Sequence, residues 1–100
     1  MTDRTLIFED FADKVGEVFA ISEEGMPPIA LTLKEATPLN PAWAPRGVRP
    51  PFSLVFLAED PRILPQRLYC VEHRTLGGVT IFLVPVGKDA SGVSYCATFN

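Results

Sequence analysis

Few residues of this chain carry side chains suited to making bonds or holding ligands. His73 is the sole histidine; Glu72 precedes it and Cys70 lies three positions upstream. A histidine beside a carboxylate is the raw material of general acid–base catalysis, and a thiol near a histidine is that of a nucleophile. The spacing works against both. The segment QRLYCVEHR (66–74) alternates as a strand, with Leu68, Cys70 and Glu72 on one face and Tyr69, Val71 and His73 on the other. Glu72 and His73 therefore diverge, as do Cys70 and His73. A metal centre needs more ligands than one histidine and one carboxylate. His73 is expected to bond to backbone or cap a hairpin, and Cys70 and Cys96 are expected to be reduced, buried thiols. No acid pair stands in an apolar setting, and no glycine-rich phosphate loop occurs. The sequence gives no catalytic set and calls for no metal and no cofactor.

Binding residues are easier to nominate. The stretch Pro38–Pro51, PLNPAWAPRGVRPP, has five prolines and holds the only tryptophan, Trp43, with Arg46 and Arg49 close behind. Proline removes ladder donors and favours extended geometry, and a connection this long is uncommon in a small domain. Tryptophan and arginine are the types enriched where binding energy concentrates. Trp43, Arg46 and Arg49 are thus the first candidates for contact with a partner, the alternative being that Trp43 folds back as a lid. Arg67, at a strand entrance, is a candidate for an anion or carboxylate contact; the alternative is a solvated edge charge. His73 completes the set.

The elements that must position these residues are mostly strands. EVFAIS (17–22), IALTLKEAT (29–37), FSLVFLAE (52–59), QRLYCVEHR (66–74), VTIFLVPV (79–86) and VSYCATF (93–99) make six, joined mainly by short turns. Apolar spacing over LIFEDFADKV (6–15) predicts an amphipathic helix of two to three turns ended by Gly16. VTIFLVPV is apolar on both faces, so both are expected to be covered, by core, helix or a partner, and Pro85 marks an edge, a bulge or a strand end. The fold class is mainly β: a six-stranded antiparallel barrel or curled sheet with one short N-terminal helix, forming a single domain over residues 1–100.

Bulk properties narrow the partners. The net charge of −3 opposes a general nucleic-acid binder. Residues 1–45 hold eight acids against three bases, whereas residues 46–74 hold five arginines against three acids. This polarity could orient a partner or a second copy. The apolar run 79–86 is too short to span a membrane, and the N-terminus lacks the apolar core of a signal peptide, which predicts a cytoplasmic protein.

The string FSLVF (52–56), Leu64, Pro65, Gln66, Tyr69, Glu72, His73, Leu76, Gly77, FLVPVG (82–87), Tyr95, Ala97, Phe99 and Asn100 resembles a family of uncharacterised bacterial proteins of about this size. FEDFADKVGEVF (8–19) is similar to that family's opening. The resemblance spans the chain apart from residues 23–50 and brings no activity with it. It implies an accessory role in a phage-tail-like assembly.

The function expected is a non-enzymatic protein-interaction or assembly module. Two alternatives stay open. One is a small-ligand-binding barrel with Phe52, Phe56, Tyr69, Phe82, Tyr95 and Phe99 around a cavity; the other is an enzyme using Glu72 and His73.

Overall fold

A computed structural model describes residues 6–25, 27–39 and 51–99. Six antiparallel strands form one sheet that closes on itself: β1 (Val18–Ile21), β2 (Ile29–Pro38), β3 (Phe52–Ala58), β4 (Arg67–His73), β5 (Gly77–Asp89) and β6 (Gly92–Phe99). The ring order is β1-β2-β3-β6-β5-β4. One short helix, α1 (Glu9–Ala12), precedes them. Alternation explains the ring. Inward positions of β3 (Phe52, Leu54, Phe56, Ala58) and β6 (Val93, Tyr95, Ala97) are almost wholly buried, and the residues between them face out.

The seams are unequal. β3–β6 and β4–β5 each run through seven register positions, from Phe52↔Phe99 to Ala58↔Val93 and from Arg67↔Leu83 to His73↔Gly77. The closing seam β1–β4 has only Ala20↔Glu72 and Ile21↔Val71, extended by the Ser22 N–H donating to the Cys70 carbonyl at 2.9 Å. Pro85 sits where the β5–β6 register slips between Pro85 and Gly87, so of the edge, bulge or strand end open to a residue with no donor it takes the bulge. A second slip separates Leu33 from Glu35 in β2.

Each end of the ring is plugged by side chains. At one end Phe11 of α1 meets Phe19, Phe52 and Phe99, with ring centroids 6.2, 5.9 and 5.8 Å away. At the other, Leu64 of the 59–66 connection is buried, and the Tyr95 hydroxyl accepts the Leu64 N–H at 3.0 Å. The Tyr69 hydroxyl donates to the Pro65 carbonyl at 2.5 Å, so both buried tyrosines hold down the same connection.

Several expectations are corrected. The N-terminal helix is one turn, not two to three. Ile7 and Val15 are 40% and 49% exposed, and the chain after Gly16 already pairs with β2: the Gly16 N–H donates to the Leu33 carbonyl at 2.7 Å. The β5–β6 connection is also shorter than the sequence implies, since β5 runs to Asp89 and only Ala90 and Ser91 lie between the strands. The thiols are not buried: Cys70 is exposed and Cys96 half-buried, because each occupies an outward position. Both are free, and β5 lies between their strands. Of the two faces of β5, the inner one packs in the core, with Ile81 and Leu83 buried, and the outer one is open among the described residues, Phe82 being 44% and Val86 60% exposed.

Candidate functional site

Outward-facing apolar side chains gather on β4, β5 and β6. Leu68 and Phe82 are cross-strand partners, 57% and 44% exposed. Two residues along β5 on the same face is Val84, whose partner is Cys96; Cys96 in turn pairs with Val55 of β3. Val86, the extra residue of the β5 bulge, continues the strip. On one face of an antiparallel pair such neighbours stand close enough to act as a unit. Phe82, read from the sequence as a cavity-lining residue, belongs to this outer strip. Among the inward aromatics, Phe52 stacks on Phe99 with centroids 4.5 Å apart, and Phe19 meets Phe56 edge-on at 5.4 Å.

His73 is built differently. It ends β4 on the inward face, opposite Phe19, and its ring lies 4.5 Å from the Phe19 ring at 36°. Nδ1 accepts the backbone N–H groups of Thr75 (3.1 Å) and Leu76 (3.3 Å), with the Thr75 hydroxyl also at 3.1 Å. Two backbone donors on Nδ1 assign the hydrogen to Nε2, which donates to Glu17 Oε1 at 2.6 Å. His73 therefore caps the β4–β5 turn, as expected. Its carboxylate partner is Glu17, 56 positions away in sequence, not Glu72. Glu17 is placed by its own carbonyl, which accepts the Leu33 N–H at 3.0 Å. Both ring nitrogens are engaged, so this group acts as a staple between the entry to β1 and the end of β4. Glu72 is exposed on the outer face.

Replacing His73 with phenylalanine keeps the contact with Phe19 but orphans the two turn N–H groups. We expect the loss to be about 1–3 kcal/mol. Glu17→Gln, which keeps an acceptor for Nε2–H, should cost less. Urea denaturation of the two variants measures the difference; equal losses would mean that the turn cap contributes nothing.

Arg67 lies at the other end of the seam. Its Nη2 donates to Glu23 Oε1 at 3.2 Å, its Nη1 to the Leu68 carbonyl at 3.0 Å, and its guanidinium carbon stands 4.2 Å from the centre of the Tyr69 ring. Glu23 Oε2 accepts the Cys70 N–H at 3.0 Å. That backbone bond, followed by the Arg67 bond, holds the Glu23 carboxyl below its usual range. Burial pushes the Tyr69 phenol up. Elsewhere the Arg62 side chain, which binds Asp60 at 2.6 Å, draws the Asp60 carboxyl down to about 2. Asp13 is lowered by its hydrogen bond with Lys14.

Of the residues nominated from the sequence, Arg67 and His73 stand at opposite ends of β4, one at each end of the closing seam. The nominations of Trp43, Arg46 and Arg49 lie outside the described residues. The base of that connection is described: the Leu39 N–H donates to the Pro51 carbonyl at 2.9 Å, one step beyond the Pro38↔Phe52 pair. Sequence reasoning missed the Leu68–Phe82 pair, although two consecutive strands with apolar residues on both faces carried the signal. Among the described residues there is no group of three or more His, Cys, Asp or Glu arranged to hold a metal, and no helix long and apolar enough to cross a membrane.

A family model, Domain of unknown function (DUF6916), matches residues 6–99. The chain belongs to this family. The match takes in α1, all six strands and both ends of the seam, so the ring is the DUF6916 unit itself. No curated protein and no solved structure matches the chain.

Proposed function

We propose that this DUF6916 domain is a non-enzymatic protein-interaction module that docks another protein on the outer face of β4 and β5. The observation that carries this reading is the cross-strand pair Leu68–Phe82, exposed and continuous with Val84 and Val86. A domain of 100 residues gains stability by burying such side chains, and leaving a contiguous set on one face is the usual mark of a contact surface. The polar staples at His73 and Arg67 support the same reading, because they fix the strand that displays Leu68. An accessory role in a tail-like assembly is the setting that the family resemblance implies.

The test is photo-crosslinking in the native cell, with a photoactivatable residue at position 82 and a control at position 34, on β2. One dominant protein adduct from position 82, absent from position 34 and lost in Leu68→Ser, is the expected result. Equal adduct patterns from both positions would overturn the proposal.

A further inference from the structure

The end of the closing seam is made by side chains where a strand would be. Beyond Ile21 the main chain leaves β4, yet β4 continues to Arg67, still paired with Leu83 of β5 on its other side. Its edge over residues 67–70 has no strand neighbour among the described residues. In a regular antiparallel pair, Ser22 and Cys70 would exchange two hydrogen bonds. Only the Ser22 N–H donates, to the Cys70 carbonyl; the Cys70 N–H turns to the Glu23 carboxylate at 3.0 Å. One step further the Leu68 carbonyl, which a strand N–H would satisfy, takes Arg67 Nη1 at 3.0 Å. The Glu23–Arg67 ion pair thus imitates the polar edge of the missing strand.

The same atoms make a carboxylate site. A backbone N–H and a guanidinium converge on one carboxyl group, each making the charge-assisted hydrogen bond that a carboxylate accepts most strongly. The occupant is the chain's own Glu23, held by an ion pair whose arginine is half-exposed, and such pairs contribute little net stability. Leu68 and Phe82 flank the edge on its outer side.

We infer that the β4 edge at Leu68–Cys70 is a strand-addition site for an extended acidic segment of a partner protein, with Glu23 as its resident cap. The incoming carboxylate replaces Glu23 on the Cys70 N–H and Arg67, the added backbone pairs with β4 at Leu68, whose carbonyl Arg67 Nη1 gives up, and alternate apolar residues lie against Leu68 and Phe82. This deepens the docking reading above, on which it rests, by giving the partner a conformation and a charge.

The experiment uses the capped hexapeptide Thr-Val-Glu-Val-Thr-Val as probe, titrated into the full chain and followed by the amide signals of Leu68 and Cys70. Removing the cap with Glu23→Ala should tighten binding by about two- to fivefold, the worth of one exposed ion pair. Glu23→Gln, which keeps the acceptor but not the charge, should fall between. Adding Arg67→Ala to Glu23→Ala should abolish the gain, and a peptide with glutamine in place of glutamate should bind no better to Glu23→Ala than to the parent chain. Circular dichroism confirms that each variant is folded. Equal affinities of the parent chain and Glu23→Ala would overturn the inference. So would the glutamine peptide showing the same gain, or Glu23→Ala pairing with itself in preference to the peptide. None of these touches the crosslinking result at position 82, so the two readings fail separately.

Discussion

Phe11→Ala should remove about 3–5 kcal/mol of unfolding free energy, the usual cost of deleting a fully buried phenylalanine. Phe11 is the one buried residue of α1 and has no exposed surface. Its ring is surrounded by Phe19, Phe52 and Phe99, while Phe8 of the same turn meets Phe52 edge-on at 6.3 Å. A four-residue helix cannot persist on backbone bonds alone, so this side chain is what holds it in place. Its loss opens the end of the ring and unplugs the stacked Phe52–Phe99 pair beneath. For a domain of this size the midpoint temperature should fall by at least about 12 °C. Urea and thermal unfolding measure it. A loss below about 1 kcal/mol would mean that α1 is an accessory on a ring that closes independently.

Gly92→Ala should be the other severe substitution, at about 2–6 kcal/mol from backbone strain and overpacking together. Gly92 opens β6 directly after the two-residue β5–β6 turn and has φ of 135°, where a side chain is strained whatever the space. Space is also lacking. A Cβ there would stand 2.0 Å from the Ala58 carbonyl oxygen and 2.9 Å from Glu59 Cα, all backbone atoms of the neighbouring β3 end. Relief therefore requires β3 and β6 to separate at Ala58↔Val93, next to the buried Tyr95 that anchors the connection closing this end. Gly77 is the internal comparison. It has φ of 76° but nothing within 4 Å of an added Cβ, so Gly77→Ala should cost only the strain, about 1–2 kcal/mol. Equal effects of the two substitutions in urea denaturation would show that the β3 contact yields freely.

The sequence by itself determined the strands, because a side-chain period of two is visible wherever one face is buried. FSLVFLA and GVSYCATF sort their inward and outward residues without reference to any neighbour, and Pro85, with no N–H to give, marked an edge, a bulge or a strand end, of which the register slip made it a bulge. His73 as a turn cap was legible for the same local reason: the groups it binds are two and three residues away. The family pattern added no chemistry. Tertiary structure decided what depends on partners distant in the chain. The apolar spacing of residues 6–15 suits a longer helix, yet the pairing of Gly16 and Glu17 with Leu33 pulls the chain straight after one turn. Cysteine is buried by habit, and only the ring's closure put Cys70 on its outside. The ring also set Leu68 beside Phe82 in the open, joined Glu17 to His73 across 56 positions and brought Glu23 to the Cys70 N–H across 47. Periodicity tells which face a residue takes on its own strand. Which strand lies alongside, and whether anything covers the outer face, follows from closing the sheet, and that free energy is spread over the whole chain.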